Sequence, residues 1–157
     1  MMRKIVIRSA IALATLIVLF VIVLAVRSAM AKRPTNLGPL DGRLRPCPNS
    51  PNCVCTESTD EEHKIEPLRF EGSPDEAMRK IESVVSKMPR TAVVTASDTY
   101  LHVEFTSLIF RFVDDVEFAV EPQSKRIGFR SASRTGHSDL GVNRRRMESI
   151  RAAFDSP

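Results

Sequence analysis

No acidic residue occurs among residues 1–31, although the whole chain carries nineteen. The basic residues of that stretch, Arg3, Lys4, Arg8 and Arg27, therefore account for the entire formal charge of +4, and residues 32–157 are neutral in sum. A pI of about 9.3 would ordinarily suggest nucleic acid. Here the surplus lies on one N-terminal segment, where it orients a helix or meets anionic headgroups, so nucleic-acid binding is excluded as the leading reading. Several motifs are also absent. The chain has no internal repeat. It has no Cys-x-x-Cys pair for redox work and no short cysteine knuckle of the kind that builds structural zinc sites. No serine sits in a nucleophile-elbow pattern.

What is present first is an uncharged run, Ser9 to Val26. About 20 apolar residues in a helix cross the hydrocarbon core of a bilayer, and a helix satisfies its own amides there. The run predicts a membrane anchor, with the lipid bilayer as partner through residues 9–26. A cleaved secretory signal competes, because Ala29-Met30-Ala31 is a small-x-small site just beyond the run. Signal cores are about 7 to 15 residues long, and the greater length here favours an uncleaved signal anchor. Arg3, Lys4 and Arg8 on one side are matched by Arg27, Lys32 and Arg33 on the other, so flanking charge barely decides orientation. Signal-like order and the cysteines favour a domain on the extracytoplasmic, periplasmic side.

The expected organisation is a membrane anchor at 1–31, a Pro/Asn-rich stalk and cysteine loop at 32–59, and one α+β domain at 60–157. Charge is segregated within it. Glu57 to Glu121 carries fifteen acids against seven bases, and Pro122 to Pro157 carries eight bases against three acids, so the two halves should attract each other.

Ser73-Pro74-Asp75-Glu76 is a capping box with proline at the first helical position. Ala77, Ile81, Val84, Val85 and Met88 then share one helix face. Thr91 to Ser97 is rich in β-branched residues. Tyr100 to Thr106 alternates, with Leu101, Val103 and Phe105 inward and His102 and Glu104 outward. Two alternating segments flank the turn Pro122-Gln123-Ser124-Lys125 and predict an antiparallel hairpin. A four-residue turn sets Glu121 opposite Arg126 and Glu117 opposite Arg130 on the solvent side, with Val120 opposite Ile127 and Phe118 opposite Phe129 in the core. A second helix, capped by Ser138 or Asp139, should bury Leu140, Met147, Ile150 and Phe154.

Continued along the hairpin, this register turns the core face polar: Val116 meets Ser131 and Asp114 meets Ser133. Asn143 falls on the apolar stripe of the second helix. Asp114, Ser131, Ser133, Ser138, Asp139 and Asn143, with Arg134 and Arg144, are the candidate ligand-binding residues, at one end of the sheet. Buried Asp, Ser and Asn often merely tie a loop and a helix terminus to a sheet. The alternatives are a small anionic ligand at the helix N-terminus and catalysis with Ser131 or Ser133 as nucleophile, His137 as base and Asp139 as orienter. His137, His102 and His63 all read as surface residues. Arg144-Arg145-Arg146 splays over about 200° of helix and cannot face one ligand as a unit. Arg144 should pair with Glu148 four residues on.

Cys47, Cys53 and Cys55 lie in one Pro/Asn-rich stretch. Cys47–Cys53 is the preferred disulfide, which leaves Cys55 free or able to join two copies. A zinc site from the three cysteines and His63 is the weaker alternative, and no metal or cofactor is expected.

Cys47-Pro-Asn-Ser-Pro-Asn-Cys53-Val54, Asp114-Asp115-Val116-Glu117-Phe118 and Arg130-Ser-Ala-Ser-Arg134-x-Gly136-x-Ser138-Asp139-Leu140-Gly141-Val142-Asn143-Arg144-Arg145-Arg146 together resemble the bacterial and plastid family catalogued as domain of unknown function 1499. The resemblance runs from about Cys47 to Phe154. It implies no activity, since the family has none established. Members are often lipoproteins or membrane proteins, in keeping with an anchor. This chain departs from that pattern in having no lipobox cysteine after its apolar run, and in carrying Cys55 where relatives carry serine. The family pattern supplies only the Cys47 and Cys53 pair, which weakens the zinc alternative.

The resulting expectation is a two-layer α+β domain, an antiparallel sheet of about five strands covered by two helices in the order β-α-β-β-β-β-α. Functionally it is a membrane-tethered binding or structural module without catalysis, with a small anionic ligand or an envelope protein as partner. The rival is an envelope hydrolase working from the same polar cluster.

Overall fold

The computed structural model describes residues 2–156. The uncharged run and its basic flanks form α1 (Met2–Ala29). Among the described residues it is the one helix long and apolar enough to cross a membrane, and none of its apolar window is buried within the protein. A core helix would be covered by its own domain. This helix buries only Ser28, at its end, which is consistent with single-pass anchoring.

Two further helices and six strands follow: β1 (Cys53–Cys55), β2 (Leu68–Arg69), α2 (Pro74–Ser86), β3 (Thr91–Ala96), β4 (Tyr100–Thr106), β5 (Val113–Glu121), β6 (Arg126–Ser133) and α3 (Val142–Asp155). The fold is α+β, as expected. α2 starts where its capping box dictates: Ser73 Oγ accepts from the Glu76 amide at 3.2 Å, and the Glu76 carboxylate accepts from the Ser73 amide at 3.0 Å. Such a cap stabilises a helix by about 1 kcal/mol. Ala77, Met78, Ile81 and Val85 are its buried face.

The sheet is antiparallel with the order β1-β6-β5-β4-β3, and β2 also pairs with β6. The outer edge of β6 is thus shared by two short strands: β1 lies against Arg130–Ala132 and β2 against Arg126–Ile127. At the other edge, the β3–β4 register slips between Val93 and Thr95. The hairpin of β5 and β6 has the expected register, from Glu121 opposite Arg126 to Asp114 opposite Ser133. Charge pairing and hydrophobic alternation select that register together.

One face of the sheet packs on the helices. Val54, Leu68, Leu101, Val103, Phe105, Val116, Phe118, Val120, Ile127 and Phe129 form a single core with the buried faces of α2 and α3. In α3 that face is Asn143, Met147, Ile150 and Phe154. Leu140 does not belong to it. It precedes the helix at φ +54° and is 83% exposed, because the chain turns through left-handed Leu140 and Gly141 before the helix begins.

The opposite face was expected to meet solvent and does not. The chain between α1 and β1 crosses it, burying Leu44 against Cys55 and Ala119, with Tyr100 and Cys47 alongside. As a result β5 is buried on both faces from Asp114 to Val120. Two expectations are corrected by this cover. Glu117 and His102, assigned to the solvent side, are each only 2% exposed. The boundary at residue 60 also shifts: Cys53–Cys55 is a sheet strand, so the cysteine loop is part of the domain and not its stalk. His63 is a further correction. It is buried, with Nδ1 2.6 Å from Asp60 Oδ1 and Nε2 3.0 Å from the Ser50 carbonyl. His137 is exposed, as expected.

Candidate functional site

Alternation along β6 sends Ser131 and Ser133 to the helix face and Arg130, Ala132 and Arg134 to the other. Two polar clusters result, back to back across β5 and β6.

On the helix face, Asn143 is the hub. Its Oδ1 accepts from Ser131 Oγ at 2.5 Å and from Arg146 Nη1 at 2.5 Å. Its Nδ2 donates to the Asn52 carbonyl at 2.9 Å and to Ser133 Oγ at 3.1 Å. Arg146 reaches on to Asp114 Oδ2 at 2.5 Å, and its guanidinium lies 4.7 Å from the centre of the Phe105 ring. Asp114, Ser131, Ser133 and Asn143 therefore meet as the register predicted. Every polar group of Asn143 has a protein partner, which is what a buried amide requires.

The other four candidates take different places. The N-cap of α3 is Gly141 and neither Ser138 nor Asp139; Asp139 lies two residues earlier, and its two carboxylate oxygens accept from the amides of Gly141 at 2.8 Å and Asn143 at 2.7 Å. Two of the amides that could hold an anion at this helix N-terminus are thus already bound to a carboxylate of the chain itself, and the Val142 amide donates to the Asp139 carbonyl. Ser138 Oγ accepts from the Leu140 amide at 3.2 Å within the exposed turn. Arg144 points away from the cluster, donating to the carbonyls of Glu62 at 3.0 Å and Lys64 at 2.9 Å, and does not pair with Glu148. Arg134 is on the opposite face of the sheet. The expected splay of the arginine run is seen: Arg145 returns to the Leu140 carbonyl, and only Arg146 enters the core cluster.

The second cluster lies beneath the chain that crosses the sheet. Arg134 donates through Nε to Asp115 Oδ2 and through Nη2 to Asp115 Oδ1, both at 2.7 Å, and also bonds Glu104. Glu104 takes a further bond from Arg33 at 2.8 Å. Burial alone would raise the Asp115 carboxyl, but the hydrogen bonds of Arg134 and His102 outweigh it and hold the group below the usual range. His102 Nε2 lies 2.7 Å from Asp115 Oδ1, and beside an ionised carboxylate that nitrogen is the donor. Next along β5, Glu117 accepts from the Gly38 amide at 2.6 Å, Tyr100 Oη at 2.8 Å and Arg130 Nη1 at 3.3 Å. Burial, then the Glu117 carboxylate, pushes the Tyr100 phenol well above its usual range. The attraction expected between the acidic and basic halves is realised in these pairs.

His102 and Asp115 resemble part of a catalytic relay. Among the described residues, however, no hydroxyl or thiol is bonded to the ring, and the guanidinium of Arg134 fills the rest of the carboxylate. Arg134 was among the candidates, whereas Asp115, His102 and Glu117 carry no signal on the inward face of the sheet. Alternation places Arg134 on the face of Arg130, so its separation from Ser131 and Ser133 was legible. Arg146 was also within reach, three residues from Asn143 and so on the same face. Asn52 carried no such signal. It arrives only because β1 pairs Cys53 with Ala132.

Cys47 and Cys53 form a disulfide, as preferred, and Cys55 is free and buried. The pair takes two of the four side chains that the zinc alternative required, and His63 bonds Asp60 and Ser50 instead. Above the disulfide loop is a surface hollow of about 430 Å³, lined by Arg43, Arg45, Arg130, Leu40, Leu44 and Cys47 among others. Arg130 Nε is buried there without a hydrogen-bond partner.

No curated protein matches the chain. The model of a family described as protein of unknown function, DUF1499, matches residues 43–154, well over half of the chain. That span begins just before the disulfide loop, ends in α3 and takes in both polar clusters except Arg33 and Gly38. The chain belongs to the DUF1499 family.

Proposed function

We propose that this chain is a membrane-tethered module on the extracytoplasmic side of its membrane that works without catalysis. One observation carries the second half of the reading: Ser131, the buried serine at the centre of the helix-face cluster, is bonded to Asn143 and Arg146, and among the described residues no histidine or carboxylate is bonded to its hydroxyl. A nucleophile needs a free lone pair and a partner to take its proton. Asp114, Ser131, Ser133 and Asn143 act in this reading as the tie between α3 and the sheet, with Asn52 drawn in from the disulfide loop. The disulfide supports the extracytoplasmic side, because such bonds persist in oxidising compartments.

If the module holds a small anion, the arginine-lined hollow above Cys47 suits it better than the helix-face cluster. Arg43 and Arg45 are exposed, and Arg130 carries an unpaired N–H. The test uses the full chain in detergent. Native mass spectra are recorded before and after denaturation, and a fluorophosphonate probe is applied to native protein. The expected result is no labelling, and either no ligand or an anion that is lost in Arg45→Ala protein. Labelling that disappears in folded Ser131→Ala or Ser133→Ala protein would instead establish the hydrolase.

A further inference from the structure

The β4–β5 connection, residues 107–112, is closed at its base by reciprocal bonds. The Ser107 amide donates to the Phe112 carbonyl, and the Phe112 amide to Ser107 Oγ, both at 2.8 Å. Its tip is apolar and bare: Leu108 is 69% exposed and Ile109 65%. Phe110 and Phe112 pack on each other with ring centres 5.6 Å apart. In water such a tip is unfavourable, and nothing in the domain covers it.

The loop touches α1. Ser28 Oγ donates to the Arg111 carbonyl, and Ser28 is the one buried residue of that helix. Exposure along α1 also falls at Val21, Leu24 and Ala25. These positions and Ser28 recur at helical spacing and so form one face. At 1.5 Å per residue the shaded face extends about 10 Å inward from Ser28, inside the uncharged run that ends at Val26. A part of the domain therefore flanks the apolar segment at a depth where, in a spanning helix, the surroundings are lipid. Arg27 and Arg111 are exposed at the level of Ser28, where cationic side chains meet lipid phosphates.

We propose that residues 107–112 form a second membrane contact, in which Leu108 and Ile109 enter the boundary between headgroups and acyl chains beside α1. The inference rests on the reading that α1 spans a bilayer. It makes the domain a body docked at two points, with the β4–β5 end of the sheet facing the lipid.

The chain contains no tryptophan, so one introduced residue reports alone. Ile109→Trp protein is reconstituted as the full chain in vesicles of phosphatidylcholine and phosphatidylglycerol, with and without lipids brominated on the acyl chain. The expected result is blue-shifted emission, protection from aqueous iodide, and quenching by bromolipid several-fold greater than for Gln123→Trp in the β5–β6 turn, at the opposite end of the sheet. Leu108→Trp repeats the measurement at the neighbouring position. Emission from Ile109→Trp and Leu108→Trp that iodide quenches and bromolipid does not would overturn the proposal. Protection from both quenchers would overturn it too, in favour of a protein partner. Phe20→Trp, within α1, separates the anchor from the loop contact. If it is quenched by bromolipid while the loop reporters are not, the anchor stands and the loop contact fails. If it is not quenched, the anchor reading fails first.

Discussion

Ser131 Oγ and Asn143 Oδ1 are joined across 2.5 Å, and through that bond the middle of β6 holds the first turn of α3. Neither group has water to fall back on, since Ser131 is fully buried and Asn143 is 1% exposed. Replacing Asn143 with leucine, of similar size, takes the acceptor from the Ser131 O–H and from one N–H of Arg146, while the Asn52 carbonyl keeps its bond from the Ser133 amide. Each buried orphan costs about 1–3 kcal/mol. Asn143→Leu should lower stability by about 3 kcal/mol, read as the shift in urea midpoint. A shift within experimental error would show that α3 is held by its apolar stripe alone.

Arg146 and Asp114 form a pair that is nearly out of solvent, with side chains 11% and 10% exposed. Removing one partner of such a pair costs about 3–5 kcal/mol, because the other charge is left uncompensated. Arg146→Met should therefore be severely destabilised, and Asp114→Asn in the same chain should restore part of the loss. Additive effects in the double variant would mean that the two charges do not interact.

His63 should make stability depend on pH. Burial alone would lower its pKa, but the Ser50 carbonyl and the Asp60 carboxylate raise it above the usual value. Both ring nitrogens face acceptors, so the charged ring fits the site best. A raised pKa contributes stability that is complete below the unfolded value of about 6.5 and is lost as pH rises through the folded value. Melting temperatures of wild-type and His63→Gln protein should therefore converge as pH rises from near 6. A constant gap would show that the ring acts by shape and not by charge.

Asp115 has the opposite sign. Its pKa is held low, so its contribution is present above the unfolded value of about 3.9 and disappears as pH falls through the folded one. Asp115→Asn should be less stable at neutral pH yet should lose less stability on acidification. Equal acid slopes for the two proteins would place the acid sensitivity elsewhere.

Burial pushes the Cys55 thiol up to about 11, so little thiolate is present near pH 8. Native protein should not react with iodoacetamide at that pH. Denatured without reductant it should expose one thiol, and after reduction three. Three thiols without reductant would reject both the disulfide and the compartment inferred from it.

The parts of this fold legible in the sequence are those written in local periodicity. The capping box at Ser73, the stripe of α2 and the complete register of β5 against β6 each follow from spacing, and Asp114, Ser131, Ser133 and Asn143 converge because that register carries them together. What escaped depends on contacts distant along the chain. Nothing near His102 or Glu117 indicates that residues 33–47 will cross the second face and bury them. His63 reads as a surface residue among acids, and only the fold brings the Ser50 carbonyl onto its ring. Leu140 looks like one more apolar residue of α3, whereas the left-handed turn through Leu140 and Gly141, the N-cap, expels it.

The slip in register between Val93 and Thr95 has a bearing on crowding. β3 is an edge strand with much of its surface bare, and a flat edge of that kind offers amides and carbonyls to any strand that approaches. Copies held in one membrane meet in two dimensions and in a shared orientation, the arrangement most apt to line up such edges. A bulge bends and twists the strand locally and interrupts the ladder it could extend. On the reading that α1 anchors the chain, the irregularity in β3 makes its edge a poor template for strand pairing between neighbours on the same surface.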